Sequence, residues 1–427
     1  MNKVLIITYY WPPSGGAGVQ RWLKFARYLP EFGWEPVILT VDPEYAAYPV
    51  TDGSLGKDIS PSLKVFTTPA TDYFSIYKKD RSRIPAAGFA NSTEDSMKNR
   101  ILRFIRGNFF IPDPRKGWNS HAFKKACSIL EKENIKHVVT TSPPHSTQLI
   151  GLKLKKRYPS VRWIADLRDP WTDIYYYSQF YHTFIAKHID TGFERKILLT
   201  ADTLITVGES LRSSFYSKAE GIEEKIHVIT NGYDESDFQN VDFNPCRDFT
   251  ISYIGTLSDI YPIDSFIQAA GELISKGSKV SIRFIGTVSP KQKELIRKRI
   301  PDNLIEFIPY VDHASAIRYM MESHALLLII PDHKSNRSII TGKLFEYIAT
   351  GRPVICIGPV EGDASAILRE SGKGMTFMYS DDKGLVHYLG EIMDRTYTVS
   401  DASPLIFSRK VQAGKLAAAL EEGLKVL

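Results

Sequence analysis

Two consecutive α/β domains, each a doubly wound parallel sheet and the pair facing each other across a cleft, are what this sequence predicts. Three observations carry the prediction. Short apolar runs of strand length alternate with stretches of helical periodicity; the rhythm restarts near Thr250 without sequence repetition; and a polar stretch, 239–248, separates the two series. With 427 residues, 43% of them hydrophobic, the chain can bury two cores of about 200 residues each. The expected division is 1–238, a linker at 239–248, and 249–407.

Composition narrows the setting. Cys127, Cys246 and Cys356 lie far apart and form no Cys-x-x-Cys pair, which argues for a reducing compartment and against structural zinc. Val4 to Ile7 is too short an apolar core for a secretory signal. The longest later run, Ala325 to Ile330, falls far below the roughly 18 residues of a membrane span. A cytoplasmic protein, at most peripheral on the inner face of a membrane, is the expectation.

In the first domain, Lys3 to Thr8 reads as a buried strand. A loop, a helix from Val19 to Phe32 and a strand at Glu35 to Thr40 follow, a βαβ opening. The loop holds Gly15, Gly16 and Gly18, whose lack of side chains lets the backbone approach a ligand at a helix N-terminus; a plain turn needing positive φ is the alternative. No Gly-Lys-Ser/Thr follows, so this is no P-loop, and the glycines lack dinucleotide-site spacing, which leaves a nicotinamide enzyme as the weaker reading.

From Asp42 to Gly117 the pattern is irregular, with one strand at Leu63 to Thr67. Between Tyr73 and Trp118 stand ten Lys and Arg against four acidic residues, an excess equal to the +6 of the whole chain. Within that stretch Met97 to Phe110 reads as a basic amphipathic helix, with Arg100, Arg103 and Arg106 around Ile101, Leu102, Phe104 and Ile105. An anionic membrane surface is the partner that segment 73–118 suits, and packing on its own domain is the alternative. Nucleic acid is not expected, because the basic stretch matches no binding fold.

A helix from His121 to Glu133 and a strand from Lys136 to Thr141 lead to His145, just past a strand end, where open α/β sheets place ligands. The strand Val161 to Ala165 runs into Asp166-Leu167-Arg168-Asp169-Pro170-Trp171. Two carboxylates around an arginine suit hydroxyl binding or proton transfer, or else form an internal salt-bridge cluster. Strands at Thr203 to Val207 and Ile226 to Ile229, with helices after Tyr181 and Glu209, complete the domain.

The second domain repeats the scheme. Strands are expected at Thr250 to Ile254, Lys279 to Ile285, Ile305 to Ile308, Ala325 to Ile330 and Pro353 to Ile357, and helices at Ile263 to Ser275, Pro290 to Arg299 and from Ala314. The next element assigned is the final helix, Ser408 to Leu424.

One stretch, Ser338 to Pro353, concentrates the chemistry. Thr341 suits a helix N-cap, Gly351 a position just past the C-terminus, and Pro353 the stop beyond it. At about 100° per residue, Leu344, Phe345, Tyr347, Ile348 and Ala349 form a broad apolar face, and Lys343, Glu346 and Thr350 a narrow polar edge. The free N–H groups of Gly342 and Lys343, with the Lys343 ammonium, suit a diphosphate, and Glu346 suits the hydroxyls of a ribose. The alternative is an ordinary helix whose Lys and Glu face water.

The run Lys343-Leu344-Phe345-Glu346-Tyr347-Ile348-Ala349-Thr350-Gly351-Arg352-Pro353-Val354 resembles the donor-binding helix of the large retaining family, family 4, of GT-B glycosyltransferases. The resemblance implies two Rossmann-like domains, with the C-terminal helix returned to the first. Asn231-Gly232-Tyr233-Asp234 is similar to the family's interdomain crossing. The glycine loop would close over donor and acceptor, His145 would contact the transferred sugar, and Asp169 would act on the acceptor side. Gly255 and Thr256 would line the diphosphate, Tyr310 and Val311 the base, and Thr341, Gly342, Lys343 and Leu344 the donor, with Glu346 on the ribose. The chain departs from the pattern twice: Ser338 holds the place of an acidic residue, and the Thr256 loop lacks the usual Arg and Lys, which leaves Lys343 and Arg337 to supply the charge.

The implied activity is transfer of a sugar from a nucleoside diphosphate sugar to a glycan or polyprenyl-linked acceptor in surface-polysaccharide assembly, with retention. No cofactor is implied beyond the nucleotide sugar as co-substrate. No Asp-x-Asp pair stands beside a strand end, so no metal is expected. An epimerase of the same fold and a non-catalytic nucleotide-sugar binder are the alternatives.

Overall fold

The computed structural model describes residues 1–71, 73, 97–239, 241–401 and 403–422. The backbone divides into two compact units, 1–230 together with 409–427, and 231–408. The division falls after Thr230, ahead of the polar 239–248 stretch, because Tyr233 is buried in the second unit's core, with Phe238 and Val241 packed against it.

The first unit runs β1 (Asn2–Ile7), α1 (Ala17–Tyr28), β2 (Trp34–Val41), β3 (Lys64–Thr68), α2 (Met97–Phe109), α3 (Asn119–Glu133), β4 (His137–Ser142), α4 (Gln148–Arg157), β5 (Arg162–Leu167), α5 (Phe184–Thr200), β6 (Thr203–Thr206), α6 (Glu209–Tyr216) and β7 (Ile226–Val228). All seven strands are parallel, in the order β3-β2-β1-β4-β5-β6-β7. Strand alternation sorts the core into two layers. Leu5, Ile7, Val37 and Leu39 point to the side covered by α3 and α4, and Val4, Ile6 and Ile38 to the side covered by α1. Burial on both faces explains why these strands read as continuous apolar runs.

The second unit runs β8 (Phe249–Ile254), α7 (Asp264–Ser275), β9 (Val280–Ile285), α8 (Pro290–Arg297), β10 (Ile305–Ile308), α9 (His313–Glu322), β11 (Ala325–Ile329), α10 (Gly342–Ala349), β12 (Val354–Ile357), α11 (Asp363–Ser371), β13 (Gly374–Phe377) and α12 (Asp382–Met393). Its six parallel strands are ordered β10-β9-β8-β11-β12-β13. The last helix, α13 (Arg409–Glu421), lays Ala413, Leu416, Ala417 and Leu420 into the α1 layer of the first unit. The α/β architecture is therefore two parallel doubly wound sheets.

Each sheet reverses its strand sequence at one place, between β1 and β4 in the first unit and between β8 and β11 in the second. The crevice beyond the carboxyl ends of the strands there is where such sheets bind ligands.

The basic 73–118 segment requires a correction. Residues 74–96 lie outside the described residues, and within the remainder only Lys98 and Arg100 of α2 are exposed cations. Arg103 is buried, and the Arg106 guanidinium donates to the carbonyls of Phe110 and Pro112. Phe110 and Trp118 are core residues. The count of charges along the sequence could not register that two of the helix's three arginines face inward. Among the described residues no helix is long and apolar enough to cross a membrane.

Candidate functional site

In the second unit the chemistry gathers at α10. Leu344, Phe345, Tyr347 and Ile348 are buried in the sheet-facing core, which fixes the rotation of the helix and leaves Lys343 and Glu346 on its other edge. Thr341 occupies the N-cap position with extended backbone, φ −84° and ψ 147°, yet its hydroxyl makes no capping bond and its buried Oγ1 has no partner among the described residues. The N–H groups of Gly342 and Lys343, which an α-helix leaves unused, therefore remain available.

Lys343 reaches back to the end of β8. Its ammonium sits 4.5 Å from the centroid of the Tyr253 ring and 3.4 Å from the Tyr253 hydroxyl. A Cβ on Gly255 would stand 2.8 Å from Nζ, and Gly255 adopts φ 123°, so this position needs glycine both for its backbone and for the lysine beside it. Burial pushes the Lys343 ammonium down to about 8, with Glu346 pulling weakly the other way. No carboxylate stands within ion-pair distance of it among the described residues. A desolvated cation with an aromatic face and no counter-ion is a site for an anion.

Glu346, one turn deeper, meets His313 Nε2 at 3.0 Å. Thr256 is exposed, and its carbonyl accepts from the Tyr253 hydroxyl at 2.8 Å. Tyr310 is 84% exposed, while Val311 packs partly on the core. Two residues bring less than their positions suggest. The Arg337 guanidinium pairs with Glu361 at 2.9 Å, both exposed, and Leu344 is a core side chain whose N–H goes to the Thr341 carbonyl. Ser338 donates to the Ser335 carbonyl.

In the first unit the glycine loop, His145 and Asp169 lie at the ends of β1, β4 and β5. Gly16 is the N-cap of α1 with φ 97°, and Gly15 packs against Asp52 and Val50. The ambiguity in Asp166-Leu167-Arg168-Asp169 resolves by division of labour. Asp166 is fully buried and accepts from Arg21, Trp22 Nε1 and Thr141. Arg168 donates to the carbonyls of Gly18 and Ser142, both at 2.9 Å, clipping the glycine loop to the end of β4.

Asp169 is left half-buried with no hydrogen bond or ion pair among the described residues, and burial raises its carboxyl above the ordinary range although Arg168 opposes this. The Tyr176 hydroxyl, raised chiefly by burial and secondarily by Asp169, lies in the same electrostatic neighbourhood. His145 stacks on Trp171, ring centroids 4.7 Å apart. Burial lowers its imidazole to about 4, with Asp113 opposing, and its buried Nδ1 has no partner among the described residues. It is therefore a neutral ring near pH 7, which can present one ring nitrogen to a sugar hydroxyl as donor or acceptor according to its tautomer.

The sequence missed Tyr253, Tyr176 and His313. Tyr253 passes for an ordinary strand residue. His313 opens α9 three residues after Tyr310, and only its proximity to Glu346 marks it. Among the described residues no cluster of three or more His, Cys, Asp or Glu is placed to hold a metal ion.

Neither protein-family models nor curated proteins match the sequence. Solved structures do match by shape. Sucrose-phosphate synthase from Thermosynechococcus elongatus aligns over 100% of this chain and 98% of its own at 13% identity, TM-score 0.59. Anabaena HepE in complex with UDP-glucose aligns over 100% of both chains at 13% identity, TM-score 0.56. A candidate UDP-N-acetylglucosamine 2-epimerase from Listeria monocytogenes aligns over 100% of this chain and 97% of its own at 11% identity, TM-score 0.54. At such identities the likeness shows the fold: two parallel-sheet α/β domains, the GT-B fold.

Proposed function

We infer that the protein is a glycosyltransferase that moves a sugar from a nucleoside diphosphate sugar to a glycan or lipid-linked sugar acceptor. The observation that carries this reading is the Lys343 ammonium, desolvated, stacked over Tyr253 and set at the open N-terminus of α10 with no carboxylate within ion-pair distance among the described residues. In the transfer the bond from the sugar C1 to the diphosphate oxygen breaks, and the pair of electrons leaves with the nucleoside diphosphate. The acceptor hydroxyl bonds to C1 and passes its proton to the departing diphosphate oxygen. Lys343 and the α10 N–H groups neutralise charge on the leaving group, most of the benefit arising as that charge develops.

Glu346 takes the ribose hydroxyls, neutral His145 a hydroxyl of the transferred sugar, and Asp169 the acceptor hydroxyl. Retention at C1, metal independence and a role in surface-polysaccharide assembly belong to the same proposal, supported by the family motif and by the cation already in place. HepE, of like fold, binds UDP-glucose, and a uridine nucleotide is the first donor to try.

Thermal-shift assays with nucleoside diphosphates test the reading directly, since a ligand of the native state raises the melting temperature by mass action. UDP or another nucleoside diphosphate is expected to stabilise the protein, and Glu346→Ala to weaken that binding by about 1.5–3 kcal/mol, the range for hydrogen bonds to a charged group. An unchanged dissociation constant in the variant removes Glu346 from the site. Transfer is expected to persist in excess EDTA; loss on chelation with recovery on adding Mg²⁺ or Mn²⁺ would assign the leaving-group chemistry to a metal. Conversion of the nucleotide sugar to an isomer with no acceptor present would turn the assignment to an epimerase.

A further inference from the structure

The helices α2 and α5 together carry a surface that the proposed reaction does not use. On α5, Phe184 is 83% and Ile185 70% exposed, with Ile189 and Leu199 also open to solvent. At about 100° per residue these four, with His188, Arg195 and Lys196, fall in one arc of roughly 140°. The opposite side, Ala186, Asp190, Glu194, Ile197 and Leu198, is buried. On α2, Met97, Ile101 and Phe104 are exposed along one stripe, and Phe109 is 67% exposed at its end.

The two helices are tied together. Asn108 of α2 donates to the Tyr181 carbonyl and accepts from the Thr183 N–H at the start of α5, and the Arg100 guanidinium lies 5.9 Å from the Tyr181 ring centroid. A Cβ on Gly107 would strike the Phe180 carbonyl, so the close approach of α2 to this turn depends on that glycine.

Among the described residues, charge on this face has one sign. α2 contains no acidic residue, and both acids of α5 are turned inward: Asp190 accepts from Trp171 and Tyr177, and Glu194 pairs with Lys218. The exposed cations Lys98, Arg100, Arg195 and Lys196 form no ion pair among the described residues. Exposed bulky apolar side chains, set among cations with no acid between them among the described residues, complement an anionic lipid surface, where rings enter the headgroup boundary and ammonium and guanidinium groups meet phosphates. An interface with another protein would be expected to deplete lysine at its centre.

We propose that the α2–α5 face docks the protein on an anionic bilayer, with Phe184 and Ile185 as the inserted pair and Arg195 and Lys196 among the phosphate contacts. This replaces the arginine set that the sequence suggests, since Arg103 and Arg106 face inward.

Co-sedimentation of the full chain with vesicles tests the proposal, using phosphatidylcholine alone and phosphatidylcholine with phosphatidylglycerol in about equal parts. Binding is expected only with the anionic lipid and is expected to fall as salt rises. A basic residue near such a surface strengthens binding about fivefold, so Arg195→Glu with Lys196→Glu should weaken it at least about 25-fold. Phe184→Ser with Ile185→Ser should abolish sedimentation, whereas Ile260→Ser, at an exposed apolar residue of the second unit, should leave it unchanged. All these positions are exposed, and matched melting temperatures confirm that the variants fold. Equal binding to both vesicles, binding to neither, or binding that all variants retain would overturn the proposal. So would a concentration-dependent dimer abolished by Phe184→Ser, which would give the face to a second copy of the chain.

Discussion

Asp166→Ala is expected to lower the unfolding free energy by about 3–5 kcal/mol, the cost of removing one partner from a buried ion pair and stranding the other. Both side chains of the Arg21–Asp166 pair are fully buried. Arg21 also donates to the carbonyls of Ile229 and Thr230, so its guanidinium is held from three sides and cannot turn to water when the carboxylate is removed. Trp22 Nε1 and the Thr141 hydroxyl lose their acceptor at the same stroke, and each unpaired buried group adds to the penalty. Denaturant unfolding monitored by tryptophan fluorescence reads the change directly. Asp169→Ala provides the contrast three residues away. That carboxylate has no partner among the described residues and is held above its ordinary range by burial, so its removal is expected to leave stability within about 0.5 kcal/mol of the parent or to raise it. Equal losses for the two variants would contradict the division of labour between the two acids.

That division marks where the sequence stops being legible. The two βα series could be read because strands covered on both faces tend to be apolar throughout, as in β11 and β12, where every residue is apolar and buried. Helix α10 could be read because its apolar face is wide and its ends are punctuated by Thr341 and Gly351. The stretch between β12 and α13 could not. Strand β13 has four residues, lies at the sheet edge and opens on Gly374, where a Cβ would strike the Val354 carbonyl. The close packing that requires glycine there removes the strand signal from the sequence. Helix α4 escaped because its turns mix Leu149, Ile150, Leu152 and Leu154 with four cations, and its amphipathic stripe is weak. Within the site, residue types at strand ends pointed to Gly255, Lys343, His145 and Asp169. What they touch was not legible. No pattern in the sequence shows that Tyr253 stacks under Lys343, that Glu361 occupies Arg337, or that Arg103 and Arg106 turn away from solvent.

Lys343→Met is expected to lower kcat for transfer by about 10²–10³, the range for deleting one preorganised group that meets developing negative charge. The loss should fall more on kcat than on the affinity for donor, because charge on the departing diphosphate grows in the transition state while the α10 N–H groups and Glu346 still hold the ground state. Unfolding would not explain such a loss. The lysine's proton is bound more weakly in the folded chain, where burial brings it down to about 8, than in the unfolded one, so below that pH the buried ammonium disfavours the fold. Removing it should keep or raise the melting temperature. The same depression sets a pH signature. A bound diphosphate favours the charged amine and raises its pKa, so above about pH 8 binding must take up a proton. Affinity for a nucleoside diphosphate is therefore expected to be flat just below pH 8 and to fall about tenfold per unit above it, until the pKa of the complex is reached. Calorimetry in buffers of different ionisation enthalpy at pH 9 should register that proton uptake for the parent and none for Lys343→Met. A parent protein whose affinity does not change between pH 7 and 9 would mean that the Lys343 ammonium does not meet the diphosphate.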